Sequence, residues 1–345
     1  MPLLYAIPTA LERLVSSGQA QLVGAIIKDV STGQILGHVQ QTQGFVQAIA
    51  KAGGAAAQSG FGPLGVINAV QNEQIKSALG ELQQGMALMQ NLQFANLALS
   101  GIGVGVSIAG FALLNMRLNA IESHLGTLRE EVREIGKLIR EQELRALFSD
   151  IRSALKDLDS VATRTDHLTL ASSLQRQFSS HVSALSDLLR EAMLPGKATS
   201  LPMEHLDLIW TLSSALRLCE EAELRALFVS EDLGHARDYA AGYQADNLER
   251  LRNLNPDALA RIVAVSEPDL TTSIALRREA ASNLSQIADC FENAVVSLGQ
   301  QQTLAQTLID SDVSGREFIR AASTETESPF LIVTPSAQPD PLSDS

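Results

Sequence analysis

Aromatic residues are scarce in this chain of 345 residues, at 4%, with a single tryptophan, Trp210. A β-sandwich or barrel draws on aromatic and β-branched side chains, so that class is disfavoured. Cysteine is scarcer still. Cys219 and Cys290 are the only two, far apart and without CxxC spacing. They read as buried core thiols of a reducing compartment and not as a disulfide framework. No run of five or six basic residues occurs, and 26 Lys and Arg against 39 Asp and Glu leave a net charge of −13. That balance opposes binding to nucleic-acid phosphates and docking on anionic lipid by charge alone. The opening MPLLYAIPTALER lacks a basic stretch followed by a long apolar run, so cytoplasmic synthesis without a signal peptide is expected.

Chemistry-bearing motifs are also lacking. The six histidines, His38, His124, His167, His181, His205 and His235, form neither HExxH nor a zinc-spaced cluster. Pro195-Gly196-Lys197-Ala198-Thr199 has Glu191 where a phosphate loop needs its first glycine and Ala198 where it needs Ser or Thr. Gly101-Ile-Gly103-Val-Gly105 lacks the further glycine and the βαβ frame of a dinucleotide fingerprint. Gly105-Val-Ser107-Ile-Ala109 approaches a nucleophile elbow but sits in an uncharged run. Neighbouring acids such as Glu130/Glu131 and Glu220/Glu221 fit solvated helix faces. The sequence therefore points to no enzyme, no cofactor, no metal site and no small-molecule substrate.

What is present is helix-forming residue after residue. Ala, Leu, Gln, Glu and Arg recur through nearly every segment beyond residue 73. The expected fold is mainly all-α, an elongated helical bundle or long helical hairpin with a coiled-coil seam, plus a small N-terminal β-hairpin and a disordered C-terminal tail. Four units are expected: 1–51, a helix and a β-hairpin; 52–161, the long hairpin; 162–321, a helical bundle; and 322–345, an acidic tail.

In the first unit, Thr9 followed by Glu12 fits a capping box opening a helix over 10–16. The runs Gln21–Lys28 and Gln34–Gln41 flank a Ser-Thr-Gly turn and read as a hairpin, marginal alone and so expected to be covered by helices. Residues 52–66 are rich in Gly and Ala around Pro63, which marks a connection or a close-packing site. Further on, helices are expected near 166–194, 203–229, 235–253, 256–265 and 268–309, the last with Pro268 in its first turn.

The second unit is the most informative. No charged residue occurs between Glu81 and Arg117, and Leu97–Leu114 holds only Ser100 and Ser107 as polar side chains. About 18–20 apolar residues are what a bilayer core requires. Gly101, Gly105 and Ala109 repeat at four-residue spacing, a small-residue stripe of the kind that brings helices together in lipid. Leu97 and Phe111 flank that stripe. From Phe111 a heptad follows: Leu118, Ile121, Leu125, Leu128, Val132, Ile135 and Ile139. Its alternating three- and four-residue steps describe a coiled-coil seam, continued less strictly to Leu144, Leu147, Ile151, Leu155 and Leu158. The seam thus spans 111–160.

Three readings compete for residues 92–115: a core helix of a soluble bundle, a permanent transmembrane anchor, or an element sheltered in water and inserted on assembly. Lys76 is the nearby positive charge before the segment and Arg117, Arg129 and Arg133 follow it, so in the anchor reading the coiled coil lies on the cytoplasmic side. In layout alone, residues 62–160 resemble α-helical pore-forming toxins, where a hydrophobic hairpin or tongue tops a long helical bundle. The expected function is membrane anchoring or permeabilisation after helical oligomerisation, with a lipid bilayer and either further copies or a second helical protein as partners. The alternative is a soluble helical scaffold for protein–protein interaction. In the tail, Phe330, Leu331, Ile332 and Val333 form the one sticky patch, read as docking on its own protein or as a partner-binding strand.

Overall fold

A computed structural model describes residues 3–5, 8–23, 25–42, 44, 141–193, 204–254, 259, 269–328 and 330–334. Three quarters of the described residues are helical, with a small antiparallel sheet near the N-terminus. The chain is therefore mainly α, as its composition predicts. The connection at 52–66, the apolar segment 92–115 with Leu97, Gly101, Gly105, Ala109 and Phe111, and the seam residues Leu118 to Ile139 lie outside the described residues. So do most of 256–265 and residues 335–345.

Strand β1 is Leu3–Leu4, helix α1 is Thr9–Ser16, and strands β2, β3 and β4 are Ala20–Val23, Ile26–Asp29 and Ile35–Gln41. The capping box expected at Thr9 is not made. Thr9 already lies in the helix, Pro8 holds the cap position without a side-chain bond, and Glu12 N donates to Pro8 O at 2.9 Å. The hairpin expected over 21–41 is present as β3 paired with β4, and a further strand extends it to a three-stranded meander. The first run turns back on itself, pairing Val23 with Ile26, before β3 pairs with β4. The second turn is as predicted. Asp29 Oδ1 accepts from Ser31 Oγ at 2.6 Å and from the amides of Ser31 and Thr32 at 2.8 Å, while Gly33 takes φ +71°. Those bonds, the Ser31 hydroxyl foremost, hold the Asp29 carboxyl at about 2.

The helices are α2 (Glu141–Val161), α3 (His167–Met193), α4 (Glu204–Val229), α5 (Leu233–Asn253), α6 (Leu270–Asp310) and α7 (Gly315–Thr324). Their limits follow cap chemistry. Asp232, Asp269 and Ser314 each accept a backbone amide of the first turn they open. Asp269, not Pro268, therefore opens α6. The described end of the seam is buried within the chain's own bundle, with Leu144, Ile151, Leu155 and Leu158 at 5% exposure or less. Phe148, at 1%, takes the place expected for half-buried Leu147 and restores the regular four-three spacing.

Residues 322–345 were expected to be disordered from their first residue. Instead α7 runs on to Thr324 and Phe330–Val333 forms a fifth strand, β5. The sheet order is β1-β5-β4-β3-β2, so the tail strand lies inside the sheet, paired with β4 from His38↔Val333 to Gln41↔Phe330 and with β1 at Leu3 and Leu4. Docking on its own protein is thus the fate of this patch. Four consecutive apolar residues suit a strand covered on both faces, and Leu331, Ile332 and Val333 are all at 1% exposure or less.

Both faces of the sheet are packed. On one, a Cβ placed on Gly37 would lie 3.7 Å from Ile332 Cγ2 and 3.8 Å from Leu11 Cδ1 of α1. On the other, α6 reaches the strands. Gln300 Oε1 accepts from Ala25 N and its Nε2 donates to Val23 O, both at 3.0 Å, and His38 Nε2 lies 3.1 Å from Thr307 Oγ1. Burial lowers the His38 pKa to about 4, so the ring is neutral at physiological pH.

Candidate functional site

Helix α4 is the axis of the body. It packs against α2, α3, α5, α6 and α7, and nearly every described residue on it is buried. A helix enclosed on all sides is normally apolar all round, and the first half of α4 comes close, burying Leu206, Leu208, Ile209, Leu212, Ala215 and Leu216 with only the uncharged polar side chains His205, Thr211 and Ser213 among them. Its second half does not. Arg217, Glu220, Glu221, Glu223 and Arg225 are all at 2% exposure or less. Charges persist in such a place only when paired and hydrogen-bonded.

The partners come from three neighbouring helices. Arg217 Nη2 lies 3.1 Å from Glu221 Oε1 and donates to Ser297 Oγ of α6 at 2.9 Å, while its Nη1 lies 3.6 Å from Glu220 Oε2. Glu220 accepts from Asn247 Nδ2 at 3.0 and 3.1 Å and from Arg250 Nη1 at 3.3 Å, both on α5. Arg250 Nη2 reaches Ser186 Oγ of α3 at 3.1 Å. Glu223 accepts from Gln175 Nε2 of α3 at 2.7 Å and, in a short bond, from the Tyr243 hydroxyl of α5. The network therefore ties α4 to α3, α5 and α6 at fixed registers. Directional bonds of this kind specify which turn of one helix faces which turn of the next.

Its electrostatics follow from burial. Desolvation raises the pKa of Glu220, opposed by Arg217, Arg250 and the Asn247 bond. Desolvation likewise raises Glu223, opposed by Tyr243 and Gln175. The Tyr243 hydroxyl is pushed up by burial and by the Glu223 charge, so it acts as a donor. Arg225 has its pKa lowered by burial, with Asp159 favouring the charged form, and its Nε and Nη1 make no hydrogen bond among the described residues. Cys219 is fully buried beside this network and its thiol is pushed up by desolvation, then by Glu220 and Glu223. A thiol so placed is inert.

The two carboxylates are not equivalent. Glu223 meets only neutral donors among its hydrogen-bond partners, whereas Glu220 sits between two guanidinium groups. A folded pKa raised above the ordinary 4.5 means that the neutral form is favoured on folding. That contribution is complete below pH 4.5 and is lost as pH rises through the folded value. Glu223→Gln keeps an acceptor for Tyr243 and removes the titration. Its stability at pH 8 is expected to equal or exceed that of the parent, with a flatter decline from pH 5 upward, read by urea unfolding at several pH values. A variant less stable than the parent by more than about 1 kcal/mol at pH 8 would show that the charge itself holds the bundle.

Sequence reasoning assigned the Glu220/Glu221 pair to a solvated face. The opposite holds. The available signal was the apolar residues on every side of these charges, from Leu216 and Leu218 to Leu224 and Leu227, which leaves no polar stripe to face water. His181 and His205 are buried between helices, His235 is exposed at the start of α5, and Cys290 is half-buried. Among the described residues no group of three or more His, Cys, Asp or Glu is arranged to hold a metal ion. The predicted tail patch is in the sheet, paired with β4 and β1, and none of it touches the α4 network through a described hydrogen bond. No protein-family model matches the chain, and no curated protein and no solved structure matches it either.

Proposed function

We propose that this chain is a non-enzymatic, membrane-active helical protein that anchors in or permeabilises a bilayer through residues 92–115 after oligomerising along its helical seam. The observation that carries the reading is the absence of any charged side chain between Glu81 and Arg117, with 18 residues from Leu97 to Leu114 interrupted only by two serines. Such a stretch matches the thickness of a hydrocarbon core. Among the described residues no helix is long and apolar enough to cross a membrane, so the reading rests on this stretch alone.

One feature of the body is compatible with it. The described core is made of side chains from both sides of the stretch, Leu3 before it and Leu144 to Val333 after it, packed as one cluster. The body thus has its own apolar interior. Gly101, Gly105 and Ala109 would bring helices together in lipid, and Leu118 to Ile139 would pair helices in water.

Flotation of the purified full-length chain with liposomes, coupled to dye release, tests this. Flotation with release is the result expected of a pore former, and flotation without release that of an anchor. Neither, from a folded sample, would leave the soluble scaffold as the better reading. If the seam pairs copies, Leu125→Asp and Val132→Asp abolish assembly while keeping most helicity. An unchanged oligomer size in both variants would sink the seam's part.

A further inference from the structure

The described bonds that join the sheet to α6 are made by polar, uncharged side chains. Gln300 and Thr307 stand two turns apart on one face of α6. Gln300 is bonded to Ala25 N and Val23 O, and Thr307 faces His38. Beside them the contact is apolar. Leu331 and Val333 of β5 belong to the helical core, and Val333 is the cross-strand neighbour of His38. The Thr307 hydroxyl donates to Thr303 O at 2.9 Å. Its oxygen therefore accepts from His38 Nε2–H, and the other nitrogen of the neutral ring carries no proton.

Among the described residues no carboxylate is placed to compensate a charge on His38. Strand β4 has no other titratable residue, and β1, β2 and β5 have none. On β3, Ile26 lies opposite His38 and Lys28, beyond a register shift, lies opposite Ile35. Asp29 is engaged by Ser31 and Thr32 in the turn. Helix α6 carries no charged residue between Glu292 and Asp310, and Asp310 accepts from Gln306 Nε2 at 2.7 Å. On α7, which packs against β5, Glu317 and Arg320 are exposed and Arg316 is bonded to Ala162 O. On α1, at the other face of the sheet, Glu12 and Arg13 are exposed. Burial alone therefore lowers the His38 pKa to about 4.

We infer that His38 is an acid-operated switch: protonation of its ring loosens the sheet from α6 while the helices stay packed on one another. The sign follows from linkage. The closed seam favours the neutral ring, so its contribution is complete above the ordinary value of 6.5 and is lost as pH falls from there toward 4. The α4 network responds in the opposite sense. Burial raises Glu220 and Glu223, so their neutral forms favour the folded bundle as pH falls. His181 and His205, buried between helices, also have their pKa lowered by burial, and variants of both serve as controls.

Hydrogen exchange of the full-length chain, with the intrinsic rate divided out at each pH, reads the opening at Ala25, whose amide is bonded to Gln300. From pH 7 to pH 5 its protection is expected to fall about twentyfold, with amides of α4 changed far less. His38→Gln keeps a donor for Thr307 and removes the titration, so Ala25 protection is expected to stay constant within about threefold over that range. His181→Gln and His205→Gln are expected to respond as the parent does. No loss in the parent, an equal loss in His38→Gln, or an equal loss at α4 would each overturn the switch. Should His38→Gln already expose Ala25 at pH 7, NMR titration of the parent's histidine rings decides. A His38 ring titrating well below 6.5, with Ala25 protection falling between pH 6.5 and that point, supports the switch. A ring titrating near 6.5 with protection intact overturns it.

Discussion

Arg217→Ala is expected to cost about 3–5 kcal/mol of folding stability, because it leaves buried carboxylates without their counter-charge. Arg217 is 2% exposed, lies 3.1 Å from Glu221 and 3.6 Å from Glu220, and donates to Ser297. Its removal strands Glu220 with Arg250 as its remaining cationic partner in the network, and opens space between α4 and α6. Urea unfolding followed by circular dichroism measures the loss. The pairing is isolated by adding Glu220→Ala, since removing both ends of a buried pair costs less than the two single changes summed. A loss under about 1 kcal/mol would place this pair among weak surface bridges, contrary to its burial.

Phe318→Ala is the second change of that size, expected to cost about 3–5 kcal/mol through lost burial and the cavity left behind. Phe318 is fully buried in α7, and its ring lies 6.2 Å from that of Phe228 on α4. The site has little freedom to collapse. Close by, a Cβ on Gly315 would lie 2.4 Å from Phe228 O, so the two helices already meet backbone to backbone. Glu231, held at φ +64°, fixes the same corner by accepting from Ser314 Oγ at 2.5 Å and Gly315 N at 3.0 Å. Thermal or urea unfolding reads the effect. A near-neutral result would show that α7 is fastened chiefly by Arg316, whose Nε donates to Ala162 O at 2.9 Å.

Four helices of the body were legible because their limits are local, whereas α7 was not foreseen. Pro, Gly, Asp and Ser mark the ends of α3, α4, α5 and α6, and predicted limits fall within two residues of the observed ones. The meander was half legible. Alternation and the Ser-Thr-Gly turn reveal strands, but whether eight apolar-rich residues make one strand or two depends on a reversal between Val23 and Ile26 that periodicity does not register. The place of β5 was the least legible. A strand's partner is chosen by pairing across the fold, and nothing near Phe330 names β4. The polar network was hidden for a related reason. Glu220, Glu221 and Glu223 look like a solvated face until the apolar residues flanking them are seen to need burial on every side, and the network's partners, Gln175, Tyr243 and Asn247 for the glutamates and Ser297 for Arg217, are scattered over three other helices.

The position of β5 inside the sheet also sets an order of events during synthesis. Strand β4 is translated long before β5, and at about 5–20 residues per second the interval between Gly44 and Phe330 lasts roughly 15–60 s. Throughout that interval the β4 edge has no partner, while the uncharged stretch after Glu81 has already left the ribosome. The helix hairpins form from neighbouring segments and close quickly, whereas the β4–β5 pairing joins residues nearly the whole chain apart and closes late. Each nascent chain therefore passes through a period in which β4 is complete and the strand that will pair with its free edge does not yet exist. Chaperones have their first opportunity then, at an unpaired strand edge that the finished sheet no longer offers.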